Sequence, residues 1–199
     1  RYTHRHHAVQ LELAELGGRD GVSFPLVLPT LAALTPTEWE VVLVDEAMDD
    51  IPIEPRPDLV GITTLSPTVE RAFELADSFR ERDIPVVLGG AYATYQFAEA
   101  LQHADSVVIG EADELWPELI RDFEKGRLKD HYVASRLVPF ENRPFPRWDL
   151  IDASRVMTLG VQASRGCPFD CEFCLVNKMF GRKMRCRSVD EVVAEVKAL

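Results

Sequence analysis

The chemistry in this 199-residue chain is concentrated in its four cysteines, Cys167, Cys171, Cys174 and Cys186. Three of them stand in the run Cys-Pro-Phe-Asp-Cys-Glu-Phe-Cys, a Cys-x-x-x-Cys-x-x-Cys spacing. Such clustering needs a reason. A disulfide staple is one, but an acidic α/β chain of this size has no need of it. Structural zinc is another; it wants four ligands, and Cys186 is available as the fourth. The third reading takes the thiolates of Cys167, Cys171 and Cys174 as ligands to three irons of a cubane cluster. The fourth iron is then left without a protein ligand. An open coordination position serves a catalytic cluster, whereas an electron-transfer cluster avoids it.

The flanking residues are suited to positioning such a loop. Residues 156–163 (Val-Met-Thr-Leu-Gly-Val-Gln-Ala) read as a short buried strand that delivers the cysteines from its carboxyl end. Beyond the loop, Ser188-Val-Asp-Glu191 is a capping box. Val189, Val192, Val193, Val196 and Leu199 then recur at helical spacing as an apolar face. Strand, ligand loop and helix make one β/α unit of a barrel, a fold that places chemistry at the carboxyl ends of its strands. Cys186 lies past the loop and is expected to be packed or half-exposed, outside the ligand set.

The preceding residues alternate strand and helix signals. Apolar runs at 39–44, 59–64, 85–88 and 106–109 have the near-continuous character of strands in a parallel sheet covered on both faces. Ser66-Pro67 opens a helix whose stripe is Val69, Ala72, Phe73, Ala76 and Phe79. A second helix covers 115–125 and ends at Gly126. The pattern predicts an α/β, doubly wound, Rossmann-like domain with its ligand at the carboxyl ends of the strands. No Gly-x-Gly-x-x-Gly follows any strand, which disfavours NAD or FAD. Residues 126–152, with Pro139, Pro144 and Pro146, read as an extended connector in which Phe145 and Trp148 should pack rather than dangle.

The cysteine run, with Gly166 before it and Phe173 inside it, resembles the motif of the radical S-adenosylmethionine (SAM) superfamily. Thr63-x-Leu65 after one strand and Gly89-Gly90 after the next resemble the steps that line the nucleotide slot of cobalamin-binding domains. Residues 24–36, Gly110-Glu-Ala-Asp113 and residues 146–150 extend the resemblance over nearly the whole chain. It is to the B12-binding-domain radical SAM proteins. The resemblance implies a cobalamin domain over 1–135, a linker over 136–155 and the start of a radical SAM barrel over 156–199. It implies that Cys167, Cys171 and Cys174 hold a [4Fe-4S] cluster and that Phe173 flanks SAM. It further implies that Thr63, Thr64, Leu65, Ser66, Gly89, Gly90, Gly110 and Glu111 contact cobalamin. Acidic residues at strand ends (Asp45, Glu46, Glu111) serve equally well as helix caps or as a solvated rim. The Asp-x-His-x-x-Gly of cobalamin mutases is absent, and no Asp precedes His4, His6 or His7 at the spacing that motif requires.

The implied activity is reductive cleavage of SAM and radical methylation of an unactivated carbon on a small-molecule or lipid-like substrate. Electrons would come from a donor such as flavodoxin or ferredoxin. The alternatives are a cyclase or rearrangement enzyme that uses cobalamin without methyl transfer, a corrinoid-binding module with a structural metal site, and a zinc-stabilised interaction module. Composition agrees with a globular chain: 46% hydrophobic and 28% charged residues exclude disorder for most of it. No run reaches the roughly 18–20 apolar residues of a membrane span. A net charge of −11 disfavours nucleic acid. A cytoplasmic protein is expected. Arg1 and the helical pattern still running at Leu199 suggest a fragment whose first strand and barrel lie outside it.

Overall fold

A computed structural model describes residues 17–199 of the chain; His4, His6 and His7 lie outside the described residues. The elements run β1 (Gly21–Ser23), α1 (Val27–Leu34), β2 (Val60–Thr63), α2 (Val69–Arg80), β3 (Val86–Gly89), α3 (Gly90–Tyr95), α4 (Phe97–Ala100), β4 (Ser106–Ile109), α5 (Ala112–Glu124) and β5 (His131–Val133). Two 3₁₀ turns, Trp148–Leu150 and Ala153–Arg155, then lead to β6 (Val156–Thr158), β7 (Ser164–Arg165), α6 (Val176–Phe180), β8 (Arg185–Cys186) and α7 (Val189–Ala198). They sort into two compact units, both discontinuous in sequence.

The unit of residues 53–141 and 164–187 holds a four-stranded sheet in the order β2-β3-β4-β5, with every neighbouring pair parallel. Two-residue alternation of apolar and polar side chains has no place in β3 and β4: Val86, Val87, Leu88, Val107 and Val108 are all buried, so both faces of these strands are covered. The α2 stripe is buried at Ala72, Ala76 and Phe79, its residues stepping by three and four along one face. The parallel α/β class read from the sequence is therefore the observed one. The described strands lie in sequence order, so the reversal of order that makes a sheet doubly wound is not among them. β2, at the sheet's edge among the described residues, is correspondingly less buried than β3. β5 went unforeseen: three residues alternating exposed, buried, exposed leave only Tyr132 as a signal.

The unit of residues 1–52, 142–163 and 188–199 departs further from the sequence reading. Residues 39–44 form no strand; Val42 is 67% exposed, and no strand among the described residues pairs with this run. A strand needs a ladder partner for its amides; here the Trp39 amide donates instead to the Pro36 carbonyl at 3.1 Å. Asp45 instead closes a turn, accepting from the Ala47 amide at 3.0 Å. The strand expected over 156–163 is confined to β6, which pairs in parallel with β1 through Gly21–Val156 and Ser23–Thr158. Helix α7 begins at the expected capping box, with Ser188 and Glu191 satisfying each other's amides. Its expected buried face does not face inward: Val189, Val193, Val196 and Leu199 are exposed, while Glu195 is buried and accepts from the Trp148 indole at 3.3 Å. That bond fixes Trp148, which the sequence placed in a packed role.

The contrast yields a prediction. Leu88→Ala should cost about 2–5 kcal/mol in urea unfolding of this chain, because a buried strand side chain leaves a cavity. Val189→Ser, at an exposed position, should stay within about 0.5 kcal/mol.

Candidate functional site

The carboxyl ends of β2, β3 and β4 carry every cobalamin-contact residue implied by the resemblance. In register, Thr63 lies opposite Gly89. Two threonines lace the three ends together. The Thr64 hydroxyl is fully buried; it donates to the Gly89 carbonyl at 2.7 Å and accepts from the Ala93 amide at 2.9 Å. The Thr94 hydroxyl donates to the Gly90 carbonyl at 2.8 Å and accepts from the Gly110 amide at 3.1 Å. Thr94 was not singled out from the sequence; a threonine four residues into a strand-to-helix turn carries no distinctive spacing.

Gly90 is fixed by this lacing. Its φ is +94°, and a Cβ there would stand 2.7 Å from the Thr64 carbonyl oxygen and 2.8 Å from the Thr63 hydroxyl. Gly89 is different, since a Cβ would make only ordinary contact with Val108 at 3.7 Å. The second glycine serves close approach of the chain to itself, and the first leaves room. Leu65 and Ser66 are exposed at the rim, with Thr63 half-buried behind them. The rim thus offers a ligand an exposed leucine, an exposed serine and glycine backbone, while Thr64 faces inward. These features fit a flat tail with both apolar and polar parts laid over the strand ends.

The cysteine loop belongs to the same compact unit as this sheet. It hangs from an antiparallel pair in which Ser164 faces Cys186 and Arg165 faces Arg185. The Cys167 amide donates to the Gly181 carbonyl at 3.0 Å, and the Tyr95 hydroxyl from α3 donates to the Leu175 carbonyl at 3.2 Å. Inside the loop, Asn177 donates to the Phe169 carbonyl and to Asp170, both at 3.1 Å, and Arg182 pairs with Asp170. The Arg182 guanidinium holds the Asp170 carboxyl below its ordinary pKa. Cys171 is exposed, and Cys167 and Cys174 are half-buried; all are free thiols. Cys186 is exposed on β8. Phe173 is 90% exposed.

The donor set of three soft thiols on one short loop fits an iron–sulfur cluster in kind. Among the described residues, however, no three His, Cys, Asp or Glu side chains converge on a metal-sized centre. Ligation requires residues 167–174 to close around the metal.

Glu111, at the end of β4, is withdrawn from solvent. Its side chain is 1% exposed and pairs with Arg185 at 2.5 Å and Arg165 at 3.8 Å, while the Val138 amide donates to it at 3.3 Å. Asp113 meets the same Arg165 nitrogen more closely, at 2.6 Å. Burial lowers the Arg165 pKa from its ordinary value, an effect that Glu111 opposes and Arg185 reinforces.

Residues 22–120 match the B12 binding domain family. Over 170 residues the chain is 36% identical to bacteriochlorophyllide d C-8(2)-methyltransferase of Chlorobaculum tepidum, covering 81% of this chain and 38% of the relative. It is 32% identical over 184 residues to bacteriochlorophyllide d C-12(1)-methyltransferase of the same organism, covering 89% and 40%. Over 175 residues it is 27% identical to anaerobic magnesium-protoporphyrin IX monomethyl ester cyclase of Rubrivivax gelatinosus, covering 72% and 31%. The chain spans two fifths or less of the length of these relatives.

A parallel α/β sheet carrying this match, with glycines and threonines at its strand ends, defines a B12-binding-domain protein. Within that class the cysteine motif and the relatives assign the chain to the B12-binding-domain radical SAM family.

The lacing generates a test of the rim. Thr64→Val should cost about 1–3 kcal/mol in chemical denaturation, since it strips the buried Ala93 amide of its acceptor. Gly90→Ala should cost at least about 1–3 kcal/mol through backbone strain, whereas Gly89→Ala should be far milder.

Proposed function

We propose that this chain is the cofactor-binding portion of a cobalamin-dependent radical SAM enzyme that methylates an unactivated carbon. The observation that carries the reading is the membership of one compact unit by both the strand-end rim and the cysteine loop. Two cofactors that act in turn on one carbon must be positioned against the same substrate. When bound, a [4Fe-4S] cluster would supply the electron that splits SAM into methionine and a 5′-deoxyadenosyl radical, and cobalamin would supply the methyl group.

Each residue then has a defined task. Cys167, Cys171 and Cys174 ligate the cluster once the loop closes. Phe173, exposed beside them, covers the adenine of SAM. Thr63, Leu65, Ser66 and Gly89 meet the cobalamin tail, while Thr64, Gly90 and Gly110 hold the strand ends that form its floor. The substrate is a small molecule, and the names of the relatives favour a tetrapyrrole-like one. A flavodoxin or ferredoxin donor and a cytoplasmic setting accompany the reading. No helix among the described residues is long and apolar enough to cross a membrane. The cyclase among the relatives supports a second reading, ring closure without methyl transfer; formation of S-adenosylhomocysteine separates the two, because only methyl transfer leaves a cobalamin that a second SAM would have to recharge by giving up its own methyl group.

Anaerobic reconstitution of the full-length protein with iron and sulfide should give a brown species with broad visible absorption. Cys171→Ala should abolish it and Cys186→Ala should preserve it. A colourless zinc-loaded product, or equal loss in both variants, overturns the three-ligand reading. Gly89→Leu should remove hydroxocobalamin binding without unfolding the sheet; retained binding overturns the rim assignment.

A further inference from the structure

The β7–β8 pair that carries the cysteine loop is too weak to hold itself. It consists of two residue pairs, and one of them sets Arg165 directly against Arg185. A two-stranded ladder is marginal in water even when neutral, and like charges directly opposite each other work against it. Both guanidinium groups are nevertheless withdrawn from solvent, at 12% side-chain exposure. Burial of two cations side by side requires carboxylates between them.

Those carboxylates come from the sheet. Glu111 follows β4 at the position just before α5, its side chain making no bond to the helix amides, and Asp113 lies in the first helical turn. Arg185 chelates both Glu111 oxygens, through one nitrogen each, and also donates to the Val138 and Phe180 carbonyls. Arg165 reaches Asp113 and lies over the Phe140 ring at 4.7 Å. Two buried cations thus meet two buried anions from another element, so the charge that would force the hairpin open becomes the charge that docks it.

We propose that Glu111, with Arg185 and Arg165, is a clasp that fixes the base of the cysteine loop to the carboxyl rim of the sheet. Glu111 is then a positioning residue for the cluster ligands and not a contact to cobalamin. The link to the cluster rests on the reading of Cys167, Cys171 and Cys174 given above; the clasp itself does not.

The test uses the full-length protein under anaerobic conditions, with three readouts. In Glu111→Gln, amide hydrogen exchange across 164–187 should quicken on the order of a hundredfold relative to wild type, while the amides of β3 keep their protection. The electron paramagnetic resonance signal of the reduced cluster should broaden or shift on addition of SAM relative to wild type, and hydroxocobalamin affinity should stay within about twofold. Arg185→Lys keeps the charge but loses the forked contact, and should quicken the same amides about tenfold. It decides the matter if the Gln variant does not fold. Unchanged exchange over 164–187 in the folded variants overturns the clasp. So does loss of cobalamin affinity with the hairpin still protected, which would make Glu111 a ligand contact. If wild type forms no cluster, the proposed function fails while hydrogen exchange still decides the clasp.

Discussion

A buried carboxylate that must find cations is the constraint around which one half of this molecule is organised. Glu111 sits where β4 ends and α5 begins, with the first free amides of the helix close by. A helix N-terminus welcomes negative charge and repels positive charge. Arginines would avoid this place without Glu111 and Asp113, and the carboxylates would carry a heavy desolvation cost without the arginines. Each set is tolerable only in the presence of the other. The consequence is architectural: a hairpin distant in sequence is brought to the ends of the parallel strands, and the cysteine loop arrives with it.

The strand ends solve a related problem with neutral groups. Parallel strands terminate in amides and carbonyls that have lost their ladder partners. Thr64 bridges the end of β2 to that of β3, and Thr94 bridges β3 to β4, each hydroxyl both donating and accepting. Gly90 is compelled by the closeness of this lacing. Hydroxyl groups that look, in a sequence, like ligand donors can therefore be structural fasteners, and exposure separates the two: Ser66 is exposed and Thr64 is not.

Much of this was legible beforehand. The runs at 59–64, 85–88 and 106–109 became β2, β3 and β4 because continuous apolar residues suit a covered parallel sheet, with burial on both faces reached in β3 and β4. The capping box at Ser188 and Glu191 was readable from local spacing and formed as expected. What failed to show was whatever depended on distant partners. Residues 39–44 have strand composition but no strand beside them. The α7 valines have helical periodicity, yet the residue buried on that helix is Glu195. The pairing of Glu111 with Arg185 spans most of the sheet domain, and neither residue's neighbours in sequence announce it. Membership in the family was legible from Thr63-x-Leu65, Gly89-Gly90 and the cysteine spacing together, whereas the division of labour among those residues needed coordinates.

The backbone bond from Cys167 to the Gly181 carbonyl, just outside a short helix, has an entropic meaning. It ties both ends of the cysteine segment before any metal arrives. The cost of gathering chain ends grows with the logarithm of the intervening length; folding bears the part that joins Cys167 to Gly181, and the closure of 167–174 remains for the metal. A metal meeting these thiols meets a polydentate chelator with its arms restrained, so each sulfur bound raises the local concentration of the next.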